Sequence, residues 1–479
     1  MLWRIGTVQW IELPLFFDEA HYLHWSLALD WGYFSKPPMV AVLIWLTTHA
    51  FGLEEWAVKL ASPVLYTATA LLIWRMGLEW FNAQAGRWAA LVFATLPLVG
   101  FNSLFITTDA PLLFFWALTA WLFSRALLQP DNHIRWLLAG LAGGLGLMSK
   151  YSMILLPASL FLWLLLAPRY RGLLLKPGFW LAVGAAFAVF LPNLWWNWNN
   201  QFISFQHTAE ISQLDRQLFH PRRLLEFMAG QVLVVGPVTV WMGLTAWRLH
   251  KQLPEVAAEK LNLAGWLAWP TWILLASLAL LSRANLNWAA PATIGFALLA
   301  GAGWALLQRP FRWLALSMVL NLSALALFYH WPDLIHRGEF QPSARFDPYR
   351  RLAGWPELGL EARKLMAAHP GHMLAADNRK VLALLGYYVQ PGDGRMAFLN
   401  REGQIRNQYA LSHDLQAVAR QSGQQRFLLF SRDARPEDLK RHFDRVRPLG
   451  RIEVHPYRDR HLQLYVFVAE GPRIGDDGP

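Results

Sequence analysis

Long apolar segments fill the first 330 residues of this 479-residue chain, and they indicate that this part of the chain lies in a membrane. A helix needs about 20 mostly apolar residues to cross the hydrocarbon layer. Segments close to this length recur between short polar stretches. We therefore predict eleven transmembrane helices, at 1–16, 57–74, 87–105, 110–128, 135–149, 152–167, 178–194, 227–248, 262–281, 288–307 and 312–329. The first is short and contains Arg4, Glu12 and Pro14, so it could be an incomplete span.

The distribution of charge divides the chain into two predicted domains. Only 34 of the first 330 residues are charged, against 41 of the last 149, and the second ratio is ordinary for a soluble domain. The predicted fold is therefore a polytopic α-helical membrane domain over 1–330, followed by an α/β or α+β domain over 331–479. Short apolar stretches at 372–376, 426–430 and 462–468 are the predicted strands of the second domain.

The net charge of +11 and the absence of Cys exclude several classes of function. An excess of Lys and Arg in an apolar chain is typical of the cytoplasmic loops of membrane proteins, so nucleic acid is not an expected partner. Without Cys, the chain has no disulfide scaffold, no thiolate metal site and no Cys nucleophile.

Basic residues in five short loops predict the orientation in the membrane. If the N-terminus is cytoplasmic, the loops facing the cytoplasm all contain Arg or Lys, as the positive-inside rule requires. These loops are 75–87, 125–135, 168–177, 248–260 and 308–312. The opposite face then holds the segment 17–56 and the domain 331–479. Within 17–56, the pieces 19–31 and 38–51 are predicted to lie in the membrane interface as short amphipathic helices.

Several charged side chains are predicted at the outer ends of the apolar helices, where charge is expensive and usually functional. They are Asp18, Glu19, Lys36, Asp109, Lys150 and Arg283. Structural explanations are open for most of them. Asp109 could cap the helix that it opens, and Arg283 could anchor to a lipid phosphate. Lys36 and Lys150 could extend to the lipid headgroups.

Together these charges favour one kind of chemistry. They come from different helices but are predicted at one face and one depth. Carboxylates beside cations suit a reaction in which a phosphate leaves and a hydroxyl attacks. A Lys or Arg neutralises the leaving phosphate, and an Asp accepts the proton of the nucleophile. Stabilisation of developing charge in a partly dry site is often the largest catalytic contribution.

At these residues the sequence resembles the GT-C class of polyprenyl-phosphate-dependent glycosyltransferases. The resemblance is to the bacterial enzymes related to protein O-mannosyltransferases and to the lipid A aminoarabinose transferase. The matching segments follow the family's order over about residues 1–300. They are Asp18-Glu19-Ala20-His21-Tyr22, Gly32-Tyr33-Phe34-Ser35-Lys36-Pro37-Pro38, Thr108-Asp109-Ala110-Pro111-Leu112-Leu113-Phe114-Phe115, Gly146-Leu147-Met148-Ser149-Lys150-Tyr151 and Asn287-Trp288-Ala289-Ala290-Pro291-Ala292.

The resemblance implies a multi-pass enzyme of the bacterial inner membrane with its active site and its C-terminal domain in the periplasm. It implies that Asp18 is the catalytic carboxylate, with Glu19 beside it, and that Asp109 shapes the same site. Lys36 is expected to contact the donor phosphate, assisted by Lys150 or Arg283. The side chains expected in the substrate pocket are His21, Tyr22, Tyr33, Tyr151 and Asn287. No cofactor is certain, although Asp18 and Asp109 could hold a divalent metal ion.

We therefore expect transfer of one sugar from a polyprenyl-phosphate donor to a lipid A-like or glycan acceptor. Aminoarabinose transferases typically have an acidic residue where this chain has Ser35, so the sugar stays open. A protein O-mannosyltransferase-like enzyme, a flippase for lipid-linked sugars and a non-catalytic lipid-binding scaffold are the alternatives. Transporters usually have broken helices at the membrane midplane, whereas the charges here are predicted at one interface.

Overall fold

The computed structural model describes residues 1–212, 219–307, 311–337, 343–389 and 392–473. The α-helices are α1 (Leu2–Trp10), α2 (Phe17–Leu27), α3 (Met39–Phe51), α4 (Glu55–Lys59), α5 (Ala61–Trp80), α6 (Ala83–Thr95), α7 (Pro97–Asn102), α8 (Asp109–Leu128), α9 (His133–Leu147), α10 (Leu155–Leu166), α11 (Pro177–Asn199), α12 (Ile203–Ser212), α13 (Pro221–Val235), α14 (Pro237–Leu249), α15 (Glu255–Leu281), α16 (Ala292–Leu306), α17 (Phe311–Tyr329), α18 (Trp331–Arg337), α19 (Trp355–Ala368), α20 (Arg379–Val389), α21 (Gln408–Ser412), α22 (Leu415–Ser422) and α23 (Pro436–Leu439). Short 3-10 helices occupy Tyr151–Ile154, Arg171–Leu175, His250–Gln252 and Leu286–Ala289. The strands are β1 (Met373–Ala376), β2 (Met396–Phe398), β3 (Arg426–Ser431), β4 (Phe443–Tyr457) and β5 (Arg460–Pro472).

Several helices have the length and apolarity of membrane spans. Among the described residues there are five: α4 with α5, then α8, α11, α15 and α17. The pair α13 and α14 would make a sixth, but the two helices meet at 97°. The apolar helices α3 and α16, and α10 with its preceding 3-10 turn, are shorter. The predicted multi-pass helical architecture is confirmed, and the number of eleven spans stays a prediction.

Two of the predicted transmembrane helices are interrupted, and as single helices those predictions were wrong. The segment 87–105 becomes α6 and α7, which break at Leu96, because Pro97 has no N–H to continue the helical hydrogen bonds. The segment 227–248 breaks at Gly236, whose φ of +86° lies in the left-handed region. Glycine adopts that conformation without strain, and Pro237 then starts α14 in a new direction.

The chain forms two compact units. The first contains residues 1–7, 36–40 and 60–329, and the second contains 8–35, 41–59 and the chain from 330 onward. The predicted helices of the segment 17–56 are present as α2 and α3. The second unit therefore combines most of this segment with the C-terminal residues. The division into domains 1–330 and 331–479 stays a prediction.

The first unit is built around α16, whose residues are almost all buried. Small side chains let neighbouring helices approach this helix and one another closely. A Cβ atom on Gly301 of α16 would lie 2.5 Å from the backbone nitrogen of Ala89 in α6. A Cβ atom on Gly77 of α5 would lie 2.6 Å from the Cα of Gly86 in α6. Larger residues at these glycines would force the helices apart.

The second unit contains a five-stranded mixed sheet in the order β2-β1-β3-β5-β4. Strands β1, β2 and β3 are parallel, and β5 pairs antiparallel with both β3 and β4. Its core includes Phe427 and Leu429 of β3 and Phe467 of β5. The predicted strands 372–376, 426–430 and 462–468 correspond to β1, β3 and part of β5. The parallel half places the carboxyl ends of three strands at one edge of the sheet.

Candidate active site

Asp109 is the centre of a polar cluster in the first unit. Its Oδ1 accepts a hydrogen bond from the Lys150 ammonium at 2.6 Å, and its Oδ2 accepts one from the Asn287 amide at 2.9 Å. Asp109 is 2% exposed, and the Lys150 side chain is 14% exposed. Three segments that are far apart in the sequence therefore meet at one buried carboxylate.

The contacts of Asp109 differ from those of a helix cap. Asp109 is the first residue of α8, and its own N–H donates to the Thr107 hydroxyl at 3.2 Å. Its two carboxylate oxygens point instead to Lys150 and Asn287. The positive end of the α8 dipole adds to the stabilisation of a negative charge here. A buried ion pair survives when its remaining hydrogen-bonding capacity is satisfied, and Asn287 satisfies the second oxygen.

A backbone contact brings the segment of Lys36 beside the segment of Lys150. The Met39 N–H donates to the Met148 carbonyl at 3.0 Å, three residues from one lysine and two from the other. Lys36 itself is half-buried. Arg283, the third predicted phosphate ligand, is exposed in the turn between α15 and the 3-10 helix that contains Asn287. The two lysine segments are thus neighbours in the fold, as their predicted shared role requires.

In the second unit, Glu19 forms a buried ion pair with Lys59. The side chains are 1% and 0% exposed, and Lys59 also donates to the Pro14 carbonyl at 3.3 Å. The same Glu19 carboxylate accepts the Phe16 N–H at 2.8 Å, at the start of α2. Burial of an ion pair is compensated only by good geometry and further hydrogen bonds, which are present here. These contacts give Glu19 the role of fixing the first turn of α2.

Asp18 lies in the first turn of α2, one residue from this ion pair. Its neighbour Phe17 packs under two cations, with the Lys380 ammonium 4.5 Å and the Arg379 guanidinium 5.9 Å from the ring centroid. The catalytic role of Asp18 stays a prediction, as does its convergence with Asp109 and Lys36 in one pocket.

The aromatic residues predicted for the pocket are packed inside their own units. Tyr33 is 3% exposed, stacks on Trp25 at 4.4 Å and donates its hydroxyl proton to the Trp25 carbonyl. Tyr22 packs on the same indole at 4.9 Å. In the first unit, the Tyr151 hydroxyl accepts from the Asn197 amide at 3.2 Å. Their assignment to a substrate pocket stays a prediction.

His21 and His24 join α2 to the C-terminal residues of the second unit. His21 stacks on Tyr409 at 4.7 Å between ring centroids, and the His24 imidazole is hydrogen-bonded to the Tyr409 hydroxyl. Burial lowers the pKa of His24 to about 3, and the pKa of His21 lies well below its ordinary value, mainly because of burial. Both imidazoles are therefore neutral at neutral pH. His21 was predicted from a motif, whereas Tyr409 carries no sequence signal.

Two places in the described residues bear on metal binding. Each carboxylate oxygen of Asp109 accepts one of these hydrogen bonds and keeps a further lone pair with which it could bind a cation. A group of three metal-ligand side chains lies on the β4–β5 hairpin: Glu453, His455 and His461. Both histidines of that group are exposed. The predicted bridging of Asp18 and Asp109 by a divalent ion stays a prediction.

The sequence did not predict Lys59 as the ion-pair partner of Glu19. It was placed inside the apolar segment 57–74 and received no role, yet it is completely buried beside Glu19. The available signal was a lone lysine at the start of an apolar helix, since charges at that depth normally have a partner.

Comparison with known proteins gives matches along most of the chain. The family model described as dolichyl-phosphate-mannose-protein mannosyltransferase matches residues 35–196. The lipid A galacturonosyltransferase RgtD of Rhizobium johnstonii is 30% identical over 401 residues, which are 82% of this chain and 82% of that protein. The undecaprenyl phosphate-alpha-4-amino-4-deoxy-L-arabinose arabinosyl transferase of Erwinia tasmaniensis is 26% identical over 242 residues, 47% of this chain and 42% of that enzyme.

Solved structures share the fold. The crystal structure of ArnT from Cupriavidus metallidurans in the apo state matches with a TM-score of 0.66 and 15% identity, over 96% of this chain and 95% of that chain. The structure of the same protein bound to undecaprenyl phosphate matches with a TM-score of 0.64 and 15% identity, over 95% and 94%. The predicted fold, a helical membrane domain with a small C-terminal sheet domain, is confirmed.

Proposed function

Because this chain belongs to the GT-C glycosyltransferases represented by the lipid A galacturonosyltransferase of R. johnstonii, we propose that it transfers one sugar from a polyprenyl-phosphate donor to lipid A or a related glycolipid. The predicted enzyme class agrees with every named relative. The observation that carries the proposal is the cluster of Asp109, Lys150 and Asn287, beside which the Met39–Met148 hydrogen bond holds the Lys36 segment.

The cationic part of this cluster is suited to the donor phosphate. Asp109 orients the Lys150 ammonium through one hydrogen bond, and an ammonium has further protons to donate. Lys36, on the neighbouring segment, supplies a second positive charge. As the bond from the sugar C1 to the phosphate oxygen breaks, negative charge develops on the leaving polyprenyl phosphate. Two oriented lysines stabilise that charge most strongly where water is partly excluded.

Asp18 is the proposed partner of the acceptor. A bond forms between the acceptor hydroxyl oxygen and the sugar C1, and the hydroxyl proton passes to the Asp18 carboxylate. If the acceptor atom is an already ionised phosphate oxygen, Asp18 only positions it. The buried pair of Glu19 and Lys59 holds the first turn of α2, so Glu19 acts on the reaction by positioning Asp18.

The donor sugar that we propose is an acidic one, galacturonic acid. The galacturonosyltransferase of R. johnstonii matches 82% of this chain, against 47% for the aminoarabinose enzyme. Ser35 supports the same choice by charge. An acidic residue before Lys36 would attract the amine of aminoarabinose, whereas a neutral serine avoids repelling the carboxylate of a uronic acid.

The proposed location is the bacterial inner membrane, with the site and the C-terminal domain in the periplasm. The basic loops predicted on the opposite face support this orientation. Since the chain has no Cys, a single cysteine in an exposed position such as Arg447 gives a clean reporter. In intact cells, an impermeant maleimide is expected to label it; labelling only after lysis would contradict the orientation.

A transfer assay with purified protein tests the function. Undecaprenyl-phosphate galacturonic acid and lipid A are supplied, and the covalent product is detected by mass spectrometry. We expect Asp18→Asn to abolish transfer with normal folding, and Lys36→Ala to weaken donor binding. Near-normal turnover by Asp18→Asn would refute its role, and unchanged donor affinity would refute that of Lys36.

The same assay separates the alternative functions. The mannosyltransferase family model that matches residues 35–196 favours a protein acceptor as the second candidate, so peptides rich in Ser and Thr are offered beside lipid A. A flippase would move the lipid-linked sugar across a vesicle without forming a covalent product. A lipid-binding scaffold would tolerate loss of both Asp18 and Asp109.

A further inference from the structure

Cations concentrate at the carboxyl edge of the parallel strands in the second unit. Arg379 and Lys380 follow β1 at the start of α20, and Arg432 follows β3. Strand β1 lies between β2 and β3, and the chain leaves β1 toward β2 before it crosses to β3. This edge is therefore a point where the strand order reverses, the place where open α/β sheets usually bind their ligands.

The carboxylates at this edge are already occupied. Asp377, directly after β1, pairs with Arg401 and accepts the Ser431 hydroxyl at 2.7 Å. Asp433 pairs with Arg435 at 3.2 Å and also faces Arg401. Asp377 and Asp433 are therefore paired with Arg401 and Arg435, and not with the cations at the ends of β1 and β3.

Arg379, Lys380 and Arg432 are left as a cationic surface. Within the described part of the chain, no carboxylate lies within the 4.0 Å ion-pair distance of any of the three. Burial and repulsion from Arg379 and Arg432 lower the pKa of Lys380, and Asp18 opposes this effect. The positive charges repel one another, and the Asp18 carboxylate offsets this repulsion only in part. A surface with an excess of one sign of charge attracts ligands of the opposite sign.

This cationic surface adjoins the first turn of α2, which contains Asp18, inside the second unit. Arg379 and Lys380 pack on the ring of Phe17, the residue before Asp18, and Lys380 is within electrostatic range of the Asp18 carboxylate. An anion held here would lie close to the residue proposed to orient the acceptor.

We propose that Arg379, Lys380 and Arg432 bind an anionic group, a phosphate or a carboxylate, of the glycolipid acceptor and so present its hydroxyl to Asp18. The inference rests on the proposed function and adds to it the binding site of the acceptor. Arg and Lys bind phosphate through charge-assisted hydrogen bonds, and Arg does so with two parallel donors. The surface would then select acceptors by charge, independently of the donor sugar.

Kinetics with two acceptors test the inference. The test variants are Lys380→Gln, Arg432→Gln and the two together. The control is Arg447→Gln, which removes one exposed charge from β4, the outermost strand on the other side of the sheet. Each loss of a charged hydrogen bond is expected to raise the KM for phosphorylated lipid A about tenfold. The donor KM of these variants stays unchanged, and Arg447→Gln keeps the turnover and the acceptor KM of the wild type. With dephosphorylated lipid A, the variants and the wild type give the same KM.

Several results would overturn the inference: an unchanged acceptor KM, an effect on the donor KM, or an equal effect with both acceptors. A role in binding the bilayer is separated by nanodiscs of phosphatidylglycerol and of phosphatidylcholine. If the variants lose only a stimulation by phosphatidylglycerol, the cations bind membrane lipid, and the inference is wrong.

A binding measurement without donor keeps this inference distinct from the proposed function. Fluorescent phosphorylated lipid A is titrated into the purified protein, and the Kd is expected to rise about tenfold in Arg432→Gln but not in Arg447→Gln. If that dependence is found and no sugar is transferred, the proposed function fails while the anion site stands. If sugar is transferred and the Kd does not change, the anion site fails alone.

Discussion

The buried pair of Glu19 and Lys59 allows a quantitative prediction about the helix that carries Asp18. Glu19→Gln removes the charge that is paired with the Lys59 ammonium, which is 0% exposed. Removing one partner of a buried ion pair typically costs about 3–5 kcal/mol. The hydrogen bond from Lys59 to the Pro14 carbonyl recovers part of that cost, so the expected loss is about 3 kcal/mol. This corresponds to an increase of about a hundredfold in the opening constant of α2.

Hydrogen–deuterium exchange measures this opening directly. Peptides covering α2 (Phe17–Leu27) should exchange about a hundred times faster in Glu19→Gln, and transfer activity should fall because Asp18 loses its placement. The double variant Glu19→Leu with Lys59→Met removes both charges of the pair and should recover most of the protection.

A matched control uses an exposed ion pair of the same unit. The Lys364 Nζ lies 2.7 Å from the Glu361 Oε1, and the two side chains are 62% and 44% exposed. Breaking such an exposed pair costs less than about 1 kcal/mol. The reasoning is refuted if Glu19→Gln changes exchange in α2 no more than Glu361→Gln does. Strictly additive effects of the Glu19 and Lys59 substitutions would refute it equally, because a real ion pair must couple them.

Three further predictions concern other parts of the chain. Asp109→Asn removes the charge that orients Lys150, so the donor KM should rise at least tenfold in the transfer assay, with thermal stability lowered as well. The pKa of His24 is lower in the folded state than in the unfolded chain, so its stabilising contribution is complete above about pH 6.5 and declines as the pH falls toward 3. The melting temperature of the wild type should therefore fall between pH 7 and pH 5 more steeply than that of His24→Phe. Gly236→Ala forces a left-handed φ on alanine and puts its Cβ 2.8 Å from a side-chain oxygen, so it should destabilise by about 1–3 kcal/mol. Gly184→Ala, which has open space in the middle of α11, should be neutral or stabilising in the same thermal unfolding measurement.

The polar residues of the first unit were predictable because a charge in an apolar segment has few explanations. Asp109 and Lys150 were named as such charges and Asn287 from the family resemblance, and the structure joins the three by hydrogen bonds. Their exact pairing was not predictable, since the sequence gives the depth of a charge in the membrane but not the rotation of its helix.

Other features depend on contacts between distant residues and leave no local pattern. Lys59 lies 40 residues from Glu19, and Tyr409 lies 385 residues from His24. The bend at Gly236 could not be read from composition either, because a glycine followed by proline is tolerated within membrane helices when neighbouring groups satisfy the freed backbone. The cationic edge of the sheet was equally hidden, since Arg379 and Arg432 become neighbours only through the parallel pairing of β1 with β3.

The hydrogen bond between the Met39 N–H and the Met148 carbonyl has an evolutionary consequence. It is made by main-chain atoms alone, so it persists whatever side chains occupy the two positions, proline at 39 excepted. The lysines nearby can thus keep their spacing while Ser35 and other flanking residues drift. A lineage of such enzymes could change the sugar that it transfers by point substitutions, while the backbone that positions the two lysines near the polyprenyl phosphate stays the same.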